Sequence, residues 1–188
     1  MQMIMIQVST ARFGVHAKRM ERGPMALVQS SAIMADGTIN LGYIDRTDTA
    51  LVSYKEEDLL RKNDVLLIGK GSNNIAALWP GNDEDSLASG MLYVIRPDPA
   101  LVLPAYLASY LNSHPAQAQI ATYRKPGTVP VLGRKALDQL EVPVPSLAEQ
   151  RKLVQLADAV QRTKLHLTEL SNSYTQLLDA VWATYPKP

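Results

Sequence analysis

Six consecutive residues, Gly69-Lys70-Gly71-Ser72-Asn73-Asn74, set two glycines, an ammonium, a hydroxyl and two carboxamides directly after the apolar run Val65-Leu66-Leu67-Ile68. A strand that opens into Gly-x-Gly is how many nucleotide pockets begin, because glycine lets the backbone approach a ligand. The context is wrong for that chemistry. A dinucleotide site needs a third small residue where Asn74 stands and then a helix aimed at the phosphate, and Trp79-Pro80-Gly81-Asn82 soon interrupts any helix. A Walker loop needs glycine at the position of Asp64. There is no Gly-x-Ser-x-Gly elbow, no His-Glu-x-x-His and no Asp followed by Glu-x-Lys. His16, His114 and His166 are too scattered to suggest a metal site, and Asp83-Glu84-Asp85 fits either a cation site or a solvated loop. The expectation is a loop where backbone comes close to something, with no catalytic residue, metal or cofactor.

Charge is distributed unevenly around that loop. Arg12, Lys18, Arg19 and Arg22 cluster early, and Arg124, Lys125, Arg134 and Lys135 cluster late. Residues 1 to 145 carry 14 Lys and Arg against 14 Asp and Glu, so any phosphate-binding strip depends on the two runs folding onto one face. Solvated loops fit the same pattern.

These groups must be held by local elements. Met1 to Val8 reads as a first strand, and residues 24 to 46 read as strand, short helix and turn, with Asp36-Gly37 preceding the alternating Thr38-Ile39-Asn40-Leu41. Val65 to Ile68 has a buried-strand pattern, and Gly90 to Arg96 a further strand ended by Pro97 and Pro99. Pro104 to Asn112 has helical spacing through Tyr106, Leu107, Tyr110 and Leu111. A polar loop, Tyr123 to Pro130, leads through Val131–Leu140 to an extended Val142-Pro143-Val144-Pro145.

The rest of the chain reads as one helix. Leu153, Leu156, Val160, Thr163, Leu167, Leu170, Tyr174, Leu177 and Val181 advance in alternating steps of three and four, and eight of these nine are apolar. Ser146-x-x-Glu149 marks its start as a capping box, and Pro186 and Pro188 mark its end. Roughly 36 residues at about 1.5 Å each make a rod near 54 Å long. A domain of ~145 residues has a radius of gyration of about 15 Å, so the rod overhangs it and calls for another helix along the seam.

Composition fits an α+β chain of one globular domain, residues 1-145, with a long dimerisation or spacer helix over 146-188. There is no apolar run of membrane-spanning length, the opening residues lack the marks of a secretory signal, and cysteine is absent. A cytoplasmic protein is the expectation.

Four segments carry a resemblance. They are Leu60-Arg61-Lys62-Asn63-Asp64-Val65-Leu66 with its glycine loop; Tyr106-Leu107-Ala108-Ser109-Tyr110-Leu111-Asn112-Ser113; Gly127-Thr128-Val129-Pro130-Val131-Leu132; and Leu140-Glu141-Val142-Pro143-Val144-Pro145-Ser146-Leu147-Ala148-Glu149-Gln150. In that order, over roughly residues 55 to 185, they resemble the specificity subunit of type I restriction-modification systems. Such subunits usually carry two target-recognition domains and two long helices that pair antiparallel. This chain has one of each, so the resemblance implies a half-subunit that pairs with itself through Leu153, Leu156, Val160, Leu167, Leu170, Tyr174, Leu177 and Val181.

The resemblance further implies double-stranded DNA and a DNA methyltransferase subunit as partners, with methyl transfer and cutting belonging to other subunits. Lys70, Ser72, Asn73 and Asn74 then have groove-reading chemistry, Asn suiting adenine and Lys guanine. Tyr123, Arg124, Lys125 and Thr128 suit phosphates, as do Arg12, Lys18, Arg19 and Arg22. A competing expectation is a structural or regulatory dimer that docks on a methyltransferase and never reads DNA, which the neutral charge of the domain favours.

Overall fold

The computed structural model describes residues 4–7, 11–71, 73–125, 127 and 130–185. Strand β1 (Ile4–Gln7) forms within the stretch expected as the first strand, and it pairs antiparallel with the last strand of the domain. β2 (Arg12–Phe13), β3 (Met25–Val28) and β4 (Asp45–Thr47) follow. The alternating Thr38 to Leu41 makes only one bridge, Ile33 to Ile39. Its continuation is diverted because the Asn40 side chain accepts from the Gly42 N–H and opens a 3-10 turn over Leu41–Tyr43.

The centre of the domain is β5 (Val65–Ile68), hydrogen-bonded to β6 (Ala76–Leu78) on one side and β8 (Leu92–Ile95) on the other, in the order β2-β8-β5-β6. β7 (Ser86–Ala88) instead runs parallel to β3 in a second sheet ordered β4-β3-β7. All four residues of β5 are buried because both faces are covered. Val65 and Leu67 join the core under the helices, while Leu66 and Ile68 join a second cluster with Trp79, Leu92 and Val94, as the period of two requires.

Just before β5, Asp64 is 1% exposed and sits in a two-pronged ion pair with Arg96 (2.6 and 2.7 Å). The Asp64 carboxylate also accepts from the Arg61 N–H, and Arg96 also donates to the Leu59 carbonyl. The hydrogen bonds to Asp64 hold the Arg96 guanidinium above its ordinary pKa.

Helix α1 (Pro104–Leu111) matches its expected position, with proline at its first turn. Helix α2 (His114–Tyr123) was not foreseen; its Ala116 and Ile120 are its buried residues. β9 (Arg124–Lys125) and β10 (Val131–Leu132) make a small hairpin, followed by α3 (Arg134–Asp138) and β11 (Glu141–Val144), the partner of β1. The long α4 spans Leu147–Ala183, 37 residues or about 55 Å. No helix among the described residues is long and apolar enough to cross a membrane.

Candidate nucleic-acid interface

The glycine loop is built on an aromatic floor. Phe13 and Tyr93 face each other across β2 and β8, their rings stacked at 3.9 Å, and the Tyr93 hydroxyl donates to the Leu132 carbonyl. Burial pushes the Tyr93 phenol up to about 12. Gly69 lies directly on this floor: a Cβ there would stand 2.6 Å from Tyr93 Cε2. Gly71 has φ +138°, a backbone conformation that favours glycine. Lys70 leaves the loop over the Phe13 ring, its Nζ 5.3 Å from the centroid.

The loop is joined to the second basic run. The Gly71 N–H donates to the Pro130 carbonyl, the Leu132 N–H donates to the Gly69 carbonyl, and Lys70 bridges Val131. Since Val131 and Leu132 pair with Lys125 and Arg124, the fold carries that basic dipeptide to the loop that presents Lys70. Ser72 and Thr128 lie outside the described residues, as do the side chains of Arg124 and Lys125. Tyr123 is half-buried against the helical core, and Asn73 is exposed.

Asn74 is corrected by the structure. It is 1% exposed, and its Nδ2 donates to the Ile68 carbonyl at 2.7 Å. Its carboxamide therefore closes the base of the loop and is not presented to a groove, while the Asn74 backbone carbonyl accepts from Gln117 Nε2.

The early basic run is not gathered as one strip. Arg12 points to the opposite sheet face from Phe13, beside Arg96, and desolvation followed by the Arg96 charge lowers its pKa. Its Nη2 is buried with no hydrogen-bond partner among the described residues. Met20 bridges Arg46 of β4, and Arg19 pairs with Asp45 at 2.9 Å. Lys18 and Arg22 are exposed on the same segment. Arg46 in turn pairs with Glu84, so part of the acidic 83–85 run is neutralised by the domain itself. No group of three or more His, Cys, Asp or Glu among the described residues could hold a metal ion.

Helix α4 is fastened at one end only. The Glu149 N–H donates to Ser146 Oγ and the Ser146 N–H donates to Glu149 Oε2, closing the expected capping box. The Ser146 hydrogen bonds lower the Glu149 pKa. Gln150 is 0% exposed: its Oε1 accepts from the Leu103 N–H while its Nε2 donates to the carbonyls of Leu101 and Pro145. Val154 packs against the core one turn later, and α4 lies on α1 there.

The seam points away from this contact. Its eight apolar members, Leu153, Leu156, Val160, Leu167, Leu170, Tyr174, Leu177 and Val181, are 46 to 65% exposed. Thr163 satisfies its own hydroxyl on the Ala159 carbonyl, so it brings no unmet polar demand to the seam.

No protein-family model matches the chain, and no curated protein matches it by sequence. Solved structures do match. The type I restriction-modification S subunit from M. genitalium superposes over 95% of this chain and 44% of its own, with TM-score 0.59 and 15% identity. The chain has the fold of a type I specificity subunit. The HsdS subunit from Thermoanaerobacter tengcongensis covers 99% of this chain and 50% of its own, with TM-score 0.61 and 20% identity. A chain from a structure of the assembly and conformational transition of the type I R-M system covers 95% and 43%, with TM-score 0.65 and 16% identity. The chain therefore spans about half the length of the specificity-fold structures it matches.

Within this fold, several organising residues escaped the sequence reading. Asn112 clasps β6 by donating to the Ala76 carbonyl and accepting the Ala76 N–H. Gln117 ties Leu111 to Asn74. In the sequence Asn112 stands out only as part of the resemblance segment Tyr106 to Ser113 and as a carboxamide closing an apolar helix.

Proposed function

We propose that the chain is a half-length DNA-specificity subunit of a type I restriction-modification system. Two copies pair antiparallel through α4, read a bipartite palindrome with their two domains, and dock a methyltransferase subunit. The observation that carries this reading is a specificity fold whose long helix bears an apolar seam left uncovered among the described residues. Eight half-exposed large side chains offer on the order of 800 Å² per copy, the amount a specific interface buries on each side.

In this reading Lys70 and Asn73 are the base-edge candidates, and Ser72 stands between them in the chain. Arg124 and Lys125 on the adjoining hairpin are the phosphate-side candidates, with Tyr123 and Thr128 close to them in sequence and Lys18 and Arg22 as outlying contacts. A ~54 Å rod with one domain near each end allows half-sites up to about 16 base pairs apart. The chain supplies recognition and spacing, and methyl transfer and cutting belong to partner subunits.

The test is to tag the chain in its host, identify what co-purifies, and map methylated DNA in that host with and without the gene. The proposal expects a methyltransferase subunit in stoichiometric amount and an interrupted palindrome whose methylation disappears with the gene. Recovery without a methyltransferase, or methylation unchanged on deletion, overturns it.

A further inference from the structure

A second stripe runs along α4 beside the seam. Positions 150, 154, 157, 161 and 164 also advance by three and four, and they face the helix's own domain. Gln150 and Val154 pack there, while Ala157, Gln161 and Lys164 line crevices shared with Asp36 and Asn112. The same count continues through Thr168, Ser171 and Thr175 to Leu178, Trp182 and Tyr185. In the middle the stripe is self-contained: Thr168 and Thr175 donate back to the carbonyls of Lys164 and Ser171. At the far end it is large and apolar again, with Leu178 55%, Trp182 63% and Tyr185 63% exposed. The Trp182 and Tyr185 rings lie 5.6 Å apart.

This distal stripe sits roughly 100° around the helix from the seam, so a helix paired along the seam leaves it facing outward. Something else must cover it. In the antiparallel pairing, on which this inference rests, the distal end of one helix lies beside the proximal end of the other. Two-fold symmetry turns equivalent stripes toward the same side of the pair, which is the side where each domain sits. Pairing Leu167 with Thr163 or with Leu170 sets Val181 opposite residues 149 or 156 of the second copy, within its first three turns. An exposed apolar domain residue beside those turns is Leu101, 60% exposed and held next to α4 by the Gln150 hydrogen bond to its carbonyl. Leu153, 46% exposed, follows one turn on.

We propose that Leu178, Trp182 and Tyr185 of each copy dock on the domain of the second copy, at the shoulder made by Leu101 and the start of α4. The dimer is then sealed at both ends by contacts in trans, with aromatic anchors of the kind that dominate interface energetics. The two domains are held at a fixed separation from each other.

Tryptophan accessibility reads this directly, because the chain has two tryptophans and Trp79 is only 1% exposed. Acrylamide quenching of the full-length wild-type protein, with mass measured on the same sample, should find almost no accessible fraction. Carrying Leu167→Glu and Leu170→Glu together should give a monomer with about half the emission accessible. Leu101→Lys, at an exposed loop position, should expose Trp182 in a protein that is still dimeric. A dimer with Trp182 as accessible as in the monomer, or one in which Leu101→Lys changes nothing, overturns the docking and leaves the seam pairing standing. A wild-type protein that is itself monomeric overturns both.

Discussion

The two ends of α4 are made of the same material and stand in opposite surroundings. Over the first turns, Gln150 is fully buried and Val154 packs on the core; over the last, Leu177, Leu178, Val181 and Trp182 are all about half exposed or more. In proteins most helical stability comes from packing an amphipathic face, so the apolar far end of this 37-residue helix is meaningful. The comparison teaches that one helix carries two apolar stripes: a short one closed within the chain by a buried carboxamide, and a long one left uncovered, which the proposed pairing would fill with another helix.

The largest expected effect lies on the open side. Leu167→Glu with Leu170→Glu replaces seam leucines that the proposed pairing buries in both copies, each worth about 1.5–3 kcal/mol, so the dimerisation constant should weaken by more than about a thousandfold while the domain keeps its fold. Sedimentation across a concentration series, with circular dichroism as the fold control, checks this. On the closed side, Gln150→Ala strands the Leu103 N–H and the carbonyls of Leu101 and Pro145 without their partner. It should cost about 3 kcal/mol, seen as a lower urea midpoint.

Which of these was legible in the sequence follows from the range of the contacts. The seam, the capping box, β5 and α1 were readable because spacing and neighbouring caps encode them locally. Asn74 was misread because its burial depends on a return hydrogen bond to Ile68 and on Gln117, far along the chain. Gln150 stood out only as part of a resemblance; its role needs Leu101 and Leu103 brought back against it. α2 was missed because its alanine and glutamine stretch has little apolar periodicity, and only Ala116 and Ile120 are buried. At the candidate interface the loop was visible, whereas the Phe13–Tyr93 floor and the zipper to Pro130 come from strand pairing.

Smaller perturbations sharpen the contrast. Gly69→Ala brings a methyl group against the Tyr93 ring, which is locked by its bond to Leu132, and should destabilise the domain by about 2 kcal/mol without changing dimer mass. Thermal unfolding of the Leu167→Glu, Leu170→Glu monomer isolates that term. Ser146→Ala removes the α4 cap and should cost about 1 kcal/mol.

The cap also has a pH signature. Glu149 is held below its ordinary 4.5, so its contribution to stability is complete above that value and is lost as pH falls through the lower folded value. Denaturant midpoints taken downward from pH 6 should fall less steeply below about pH 4.5 in Ser146→Ala than in wild type. Parallel curves would remove Ser146 as the cause.

The central claim, that a half-length specificity fold completes itself through its bare helix, is tested most directly by the molar mass of the wild-type chain in solution beside the Leu167→Glu, Leu170→Glu variant. The account predicts twice 20.7 kDa for the wild type and 20.7 kDa for the variant. A wild type that stays at 20.7 kDa at all concentrations, or a variant that keeps the parent's mass, contradicts it.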